Sequence, residues 1–233
     1  MTVLQVNELF RSFQGEGPST GRPAVFLRLA NCNLSCAWCD TRYSWDWAQF
    51  DPSDERHEME VRALADHIVA ELQDALLLII TGGEPLLQQP ALSELAELLR
   101  ERVPDLRVEI ETNGTVSPAP RFAEEINLFV VSPKLSNSAV PQKRRTRPRA
   151  LASFPADRTV FKFVVTGPND LEEVAEIRRI ADVPPHRTWI MPEGATSDAV
   201  LRGLRAISAP VAQLGYNVST RLHILLWGDE RGT

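Results

Sequence analysis

The sequence predicts an α/β protein: a partial (β/α) barrel with about six parallel strands. Three observations carry this. Strand-length apolar runs alternate with segments of helical spacing between residues 23 and 209, as repeated βα units do. The count of about six core strands falls short of the eight that close a barrel. Polar segments with glycine or proline follow several runs, where parallel α/β folds place their ligands.

Residues 3–10 mix apolar and polar positions and predict a short strand. It leads into Ser12-Phe13-Gln14-Gly15-Glu16-Gly17-Pro18, too glycine-rich for an element interior and so read as a loop. Pro23 to Ala30 reads as a buried strand in which Arg28 is the odd member. A charge there is either paired at the strand end or points into a cavity and grips an anion through its bidentate fork. Residues 42–58, rich in Trp, Asp and Pro, lack a period and read as an excursion outside the core.

Glu60 to Asp74 carries Val61, Leu64, Ala65, Ile68 and Leu72 on one helical stripe. A strand at Ala75–Ile80, a helix over 89–102, strands at 106–111 and 127–131, a strand at 159–165, a helix at 169–181, a strand at 187–191 and a helix at 197–209 follow. Between them, the basic run at 143–149 reads as a solvated, mobile loop. The whole of 1–233 reads as one domain, without repeat or linker.

The composition excludes several classes. A 43% apolar content over 233 residues suffices for a sizeable core. The longest apolar run, Ala75 to Ile80, is too short to span a bilayer, and the polar first twenty residues hold no signal-peptide core. Three clustered cysteines make no disulfide framework and fit a reducing cytoplasm. A net charge of −6 argues against a nucleic-acid partner. The expectation is a soluble cytoplasmic protein.

All three cysteines lie in the loop 31–41, as Cys32-x-x-x-Cys36-x-x-Cys39. Three thiolates suit a thiophilic centre, zinc or an iron–sulfur cluster. Structural zinc normally takes four ligands, yet no fourth cysteine exists, and His57, His67, His186 and His223 sit at no zinc-finger spacing from the triplet. A four-iron cluster on three cysteines leaves one iron open for a ligand. Asn33 and Ser35 between the thiols and Asp40 after them make a poor core segment, which argues against three merely buried cysteines, and the cluster is favoured.

The strand-end rule selects further candidates. Thr81-Gly82-Gly83-Glu84-Pro85 follows the second core strand, Glu111-Thr112-Asn113-Gly114 the third, and Ser132-Pro133-Lys134 the fourth. Adjacent glycines permit close backbone approach to a ligand, and the Glu beside them can accept from an ammonium.

The cysteine spacing, with Trp38 before the third cysteine and GGEP one βα unit later, resembles the signature of radical S-adenosylmethionine (SAM) enzymes. That resemblance implies a [4Fe-4S] cluster on Cys32, Cys36 and Cys39, with S-adenosyl-L-methionine chelating the open iron and giving a 5′-deoxyadenosyl radical. Gln14-Gly15-Glu16-Gly17, Arg28, Cys39-Asp40-Thr41, Ser132-Pro133-Lys134 and Leu225-Leu226-Trp227-Gly228 narrow it. Together they resemble the 7-carboxy-7-deazaguanine synthases, from about residue 5 to 231.

The narrower resemblance implies ring contraction of 6-carboxy-5,6,7,8-tetrahydropterin to 7-carboxy-7-deazaguanine with loss of ammonia, in queuosine and 7-deazapurine biosynthesis. The radical takes the C6 hydrogen and later returns it. It also implies Mg2+ on Thr41, cofactor contacts from Trp38, Cys39, Asp40, Gly83, Glu84, Ser132, Pro133 and Lys134, and substrate contacts from Phe13, Gln14, Gly15, Glu16, Arg28 and Thr81. No side chain is singled out as catalytic. A homodimer and an electron donor such as flavodoxin complete the expectation; the alternative to a loose loop at 143–149 is a dock for that acidic donor.

Two other readings compete. A glycyl-radical-enzyme activase shares the small chain and CxxxCxxC but needs neither Arg28 nor the QGEG segment. A zinc-binding interaction module has no use for GGEP and SPK at successive strand ends.

Overall fold

The computed structural model describes residues 2–233; Met1 of the expected 1–233 domain lies outside them. Its organising element is one nine-stranded sheet in the order β3-β1-β2-β4-β5-β6-β7-β8-β9. The strands are β1 (Val3–Phe13), β2 (Pro23–Leu29), β3 (His57–Glu60), β4 (Leu77–Gly82), β5 (Arg107–Thr112), β6 (Leu128–Val131), β7 (Thr159–Val165), β8 (Thr188–Pro192) and β9 (Asn217–Val218). β2, β4, β5, β6, β7 and β8 run parallel, the six expected core strands, and the two-residue β9 extends them. β1 and β3 add an antiparallel edge. The sheet is open, as a partial barrel is.

Side-chain alternation along the strands gives the sheet two unlike faces. Val25, Leu27 and Leu29 of β2, with Leu78 and Ile80 of β4, join the large core packed under the helices. Leu64 and Ile68 of helix Val61–Leu72, and Leu92, Leu95 and Leu99 of helix Gln89–Arg102, cover that face. The opposite face carries a small apolar floor of Ala24, Phe26, Leu77 and Ile79, with Phe10 stacked on Phe26 at 5.1 Å. Beyond this floor, toward the carboxyl ends, the same face turns polar.

Four expectations are corrected. β1 runs on to Phe13, taking Ser12 and Phe13 from the expected loop, because both pair with β2. The excursion 42–58 ends in β3, an edge strand whose polar sequence gives no apolar signal. Helix Leu222–Trp227 and β9 were not anticipated; each is too short to show a period.

The run 143–149 is also not a loose loop. It folds as two short helices, Gln142–Arg145 and Pro148–Leu151. Arg145 is buried, pairs with Glu173 at 2.5 Å and donates to the carbonyls of Lys134 (3.0 Å) and Val140 (3.1 Å). Breaking such a pair leaves a partly buried carboxylate without its cation and two carbonyls without their donor. Arg145→Ala should therefore destabilise the chain by about 3 kcal/mol, read as a lower urea midpoint at unchanged slope.

Candidate active site

The polar end of this second face opens into one cleft, with about 1200 Å³ of open space including its mouth. Four of the parallel strands contribute one inward side chain each: Arg28 from β2, Thr81 from β4, Glu111 from β5 and Lys162 from β7. The registers align them, Arg28 opposite Thr81 and Ile80 opposite Ile110. All three cysteines line the same cleft with Trp38, Asp40, Thr41 and Trp45.

The cluster loop is fixed by backbone contact. Asn31 takes a left-handed conformation (φ 75°), which Asn tolerates. Its carbonyl accepts from Glu84 N (2.9 Å), and Leu29 O accepts from Gly83 N (3.0 Å). A Cβ on Gly82 would lie 2.2 Å from Leu29 O, and one on Gly83 2.0 Å from Asn31 O. The glycine pair therefore serves the approach of the cluster loop to β4, beside the cleft that both glycines also line.

Glu84 departs from the expected cofactor contact. It is fully buried and accepts from Leu86 N (3.0 Å), Thr112 Oγ1 (2.7 Å) and Asn113 N (2.7 Å). Burial pushes its carboxyl up from the ordinary value, against the pull of these bonds. It ties the GGEP turn to the loop after β5 and does not line the cleft, whereas the Gly83 backbone does. Pro133 is buried and likewise off the cleft wall, while Ser132 and Lys134 on either side are on it.

Free thiols here are poor nucleophiles: burial pushes Cys32 up to about 12 and raises Cys36. Among the described residues no three His, Cys, Asp or Glu side chains converge on a single ion. A cluster takes one thiolate per iron, so its ligands stand apart. Donors already face the sulfurs, Trp45 Nε1 to Cys39 Sγ at 3.2 Å and Leu34 N to Cys32 Sγ at 3.4 Å. Three thiols on one loop wall beside an open cleft fit a three-cysteine cluster with room for a further ligand.

Opposite the loop lies a buried charge network. Glu16 is held between Lys162 and Arg221 (Nε 3.3 Å); Lys162 also reaches Glu111 Oε1 (3.4 Å), and Arg221 also pairs with Asp40. Burial alone would raise the Glu16 carboxyl, but Lys162 and Arg221 hold it far below the usual range. Gln14 is buried, donates to Glu111 Oε1 (3.2 Å) and accepts from Glu16 N (3.1 Å). Glu16 and Gln14 line the cleft and are at the same time engaged within the protein. Thr81 Oγ1 donates to Glu111 Oε2 (2.9 Å).

Arg28 is paired and also lines the cleft. Its Nε pairs with Glu8 (2.8 Å) and its guanidinium lies 5.7 Å over Phe10, yet no hydrogen bond engages its terminal nitrogens among the described residues. Lys134 has no carboxylate partner among them; it donates to Ser132 Oγ (3.1 Å) and lies 5.4 Å over Trp38. Phe13, half-exposed at the rim, stacks on Trp227 at 6.3 Å.

Sequence reasoning missed Lys162 and His223, which line the cleft, and Arg221, which pairs with Glu16 and Asp40 on its wall. His223 carried no motif, but helix Leu222–Trp227 sets its Nδ1 2.1 Å from where a Cβ on Gly15 would sit. Burial lowers its pKa, so the imidazole is neutral at neutral pH. The signal for Lys162 was available: a lysine inside the apolar run Thr159–Val165 asks for a buried partner.

The match to the Radical SAM superfamily spans residues 28–148, from Arg28 through the cysteine loop, GGEP and SPK. The 7-carboxy-7-deazaguanine synthase of Pyrobaculum aerophilum is 40% identical over 232 residues, 98% of this chain and 97% of that protein. The chain belongs to the 7-carboxy-7-deazaguanine synthase family of radical SAM enzymes. The synthase of Hyperthermus butylicus is 38% identical over 97% of this chain and 93% of its own. The crystal structure of QueE from Escherichia coli superposes with a TM-score of 0.70 at 27% identity, covering 96% of each chain. Family membership makes the chain a radical SAM lyase and carries a [4Fe-4S] cluster and SAM as cofactors. It sets aside the zinc module and the activase.

Two predictions follow from this geometry. Gly83→Ala should displace the loop 31–41, and reconstituted protein should hold markedly less iron and brown absorbance than wild type. Because Glu16 is depressed in the folded state, its contribution is full above the ordinary 4.5 and is lost as pH falls below that value. Urea stability should therefore decline below about pH 4.5, and in Glu16→Gln this acid limb should be shallower on a lower plateau.

Proposed function

We propose that this chain, as one domain over 1–233, converts 6-carboxy-5,6,7,8-tetrahydropterin to 7-carboxy-7-deazaguanine with release of ammonia in 7-deazapurine biosynthesis. The observation that carries the reading is the free fork of Arg28 in the cysteine-lined cleft, a fit for a small carboxylate. When bound, the cluster and SAM supply hydrogen-atom abstraction by a 5′-deoxyadenosyl radical.

The chain's own residues bind and orient. Arg28, held by Glu8 and seated on Phe10, grips the substrate carboxylate. The Gln14–Gly15 backbone, Thr81 and Phe13 border the pterin. Gln14 and Glu16, tied to Glu111, Lys162 and Arg221, form a rigid polar wall rather than mobile acceptors. Neutral His223 adds a hydrogen-bonding edge beside Gly15. On the cofactor side, Lys134, Ser132, Trp38, Asp40 and the Gly83 backbone face SAM, while Glu84 and Pro133 act through the loops they hold. Fixed donors of this kind need no reorganisation as charge moves.

Thr41 is the protein ligand we assign to Mg2+. Its side chain lines the cleft and its hydroxyl makes only a 3.6 Å contact, to Cys39 Sγ. A hydroxyl suits a hard cation otherwise held by water and substrate oxygens. A homodimer, an acidic reductant such as flavodoxin and a cytoplasmic location belong to the same proposal. Among the described residues no helix is long and apolar enough to cross a membrane.

The test is anaerobic turnover of reconstituted protein with SAM, dithionite and the carboxylated tetrahydropterin, products read by mass. A 7-carboxy-7-deazaguanine peak supports the assignment; 5′-deoxyadenosine with untouched pterin would sink the substrate while keeping the radical chemistry. Arg28→Ala should cost on the order of 10- to 100-fold in kcat/KM for the pterin, with cluster absorbance unchanged. Thr41→Ala should weaken the magnesium response and keep the cluster; magnesium dependence surviving intact would remove Thr41 as the ligand.

A further inference from the structure

Arg28 shares its carboxylate partner with a second arginine from the far end of the chain. Arg231, which follows helix Leu222–Trp227, donates through Nε to Glu8 Oε1. Its Nη1 and Nη2 reach the two oxygens of Glu55 (2.9 and 2.6 Å). Its guanidinium lies 4.0 Å over the Tyr43 ring, and that of Arg28 lies 6.0 Å from the same ring. Glu55 is braced in turn, Asn7 Nδ2 donating to its Oε2 (3.0 Å). Glu8 therefore faces two guanidiniums: Arg231 at Oε1, and Arg28 Nε at Oε2 (2.8 Å), where Tyr43 OH also donates (3.3 Å). Arg28 lines the cleft, whereas Glu8, Tyr43, Glu55 and Arg231 stand behind it.

An arginine and a carboxylate left to themselves often pair by two parallel hydrogen bonds. Glu8 meets Arg28 by one, because its other oxygen is turned to Arg231. Without Arg231, Glu8 is free to rotate and take Nε and a terminal nitrogen of Arg28 together. That would occupy the fork a substrate carboxylate needs. The charge balance moves the same way. Glu8 and Glu55 against Arg28 and Arg231 sum to zero; against Arg28 alone they leave a negative charge behind a site for an anion. We propose that Arg231 is a positioning residue for substrate binding: by holding Glu8 Oε1 it keeps the terminal nitrogens of Arg28 open to the carboxylate. This rests on the reading of Arg28 above and names the residue that keeps its grip open. It also gives the excursion 42–58 a part, since Tyr43 and Glu55 hold Arg231 in place. The rival is a plain tether, in which Arg231 only ties the C-terminal segment to Glu55.

The test compares reconstituted holoenzyme of wild type, Arg231→Ala, Arg231→Lys, Glu8→Ala and the double variant Glu8→Ala/Arg231→Ala, with the carboxylated tetrahydropterin as substrate. Arg231→Ala should raise KM about 10-fold while kcat stays within about twofold of wild type, with cluster absorbance unchanged. Arg231→Lys, which restores a cation at Glu8, should recover part of that loss. In the Glu8→Ala background, Arg231→Ala should add nothing to KM, because the competing carboxylate is gone. An unchanged KM in Arg231→Ala overturns the proposal, and an equal rise in both backgrounds overturns it in favour of the tether. A second readout needs no substrate: a crystal structure of the Arg231→Ala protein should show Glu8 on Nε and a terminal nitrogen of Arg28 together. Glu8 still on Nε alone overturns the proposal. A wild type that leaves the pterin untouched sinks the substrate reading instead, and the crystal structure still decides whether Arg231 keeps the fork open.

Discussion

The cleft depends on a backbone contact too close for any side chain. Strands β2 and β4 run parallel with Leu29 opposite Gly82, and the chain leaving β2 turns at Asn31 directly over Gly83. The carbonyls of Leu29 and Asn31 accept from Gly83 and Glu84, so two consecutive amides of the GGEP turn hold the root of the cysteine loop. Glu84, buried beneath, extends the tie to Thr112 and Asn113 on β5. The cysteines are therefore positioned by three neighbouring strands before any cofactor arrives. A loop free to move would have to be ordered on binding, at roughly 1–2 kcal/mol per residue.

The second constraint is electrostatic. Lys162 and Glu16 lie deep in the chain, and such charges persist only when paired and hydrogen-bonded. Glu16 between Lys162 and Arg221, and Lys162 between Glu16 and Glu111, satisfy that condition by sharing partners. Sharing ties the loop after β1 to β7, to β5 and to the C-terminal segment that carries Arg221. A hydrophobic substitute of equal volume would be comparably stable. What the network adds is a polar wall of fixed geometry. It also consumes the carboxylates, which leaves Lys134 and the outer nitrogens of Arg28 as the cations open to an anion.

The fold was legible because its period is simple. Buried parallel strands read as continuous apolar runs, and the helices that cover them carry the 3.6-residue stripe on Leu64 and Ile68 or Leu92 and Leu95. The cysteines, Arg28 and the glycine pair were legible as types that core strands and turns do not otherwise need. What escaped has a physical reason too. β3, with sequence HEME, needs no apolar face at a sheet edge. Glu84 and Lys162 looked like ligand contacts or went unnoticed because a sequence shows that a charge is present and hides which partners reach it across 28 or 51 positions. His223 escaped because its helix is a turn and a half long and its place is set by Gly15, some two hundred residues earlier.

The segment from Ser132 to Leu151 joins these layers. At its start Lys134 faces the cleft; in its middle Asn137, Ser138 and Val140 lie along the cluster loop; at its end the arginines reach solvent. Arg145 explains how one stretch does all three. By binding the carbonyls of Lys134 and Val140 and pairing with Glu173, it folds the segment back on itself, so that inner and outer ends flank the same loop. One buried arginine thereby fixes a cofactor-facing lysine on one side of the cysteines and exposed cations on the other. The basic run is then best understood as two populations, a guanidinium spent on structure and its neighbours left free to meet charge from outside.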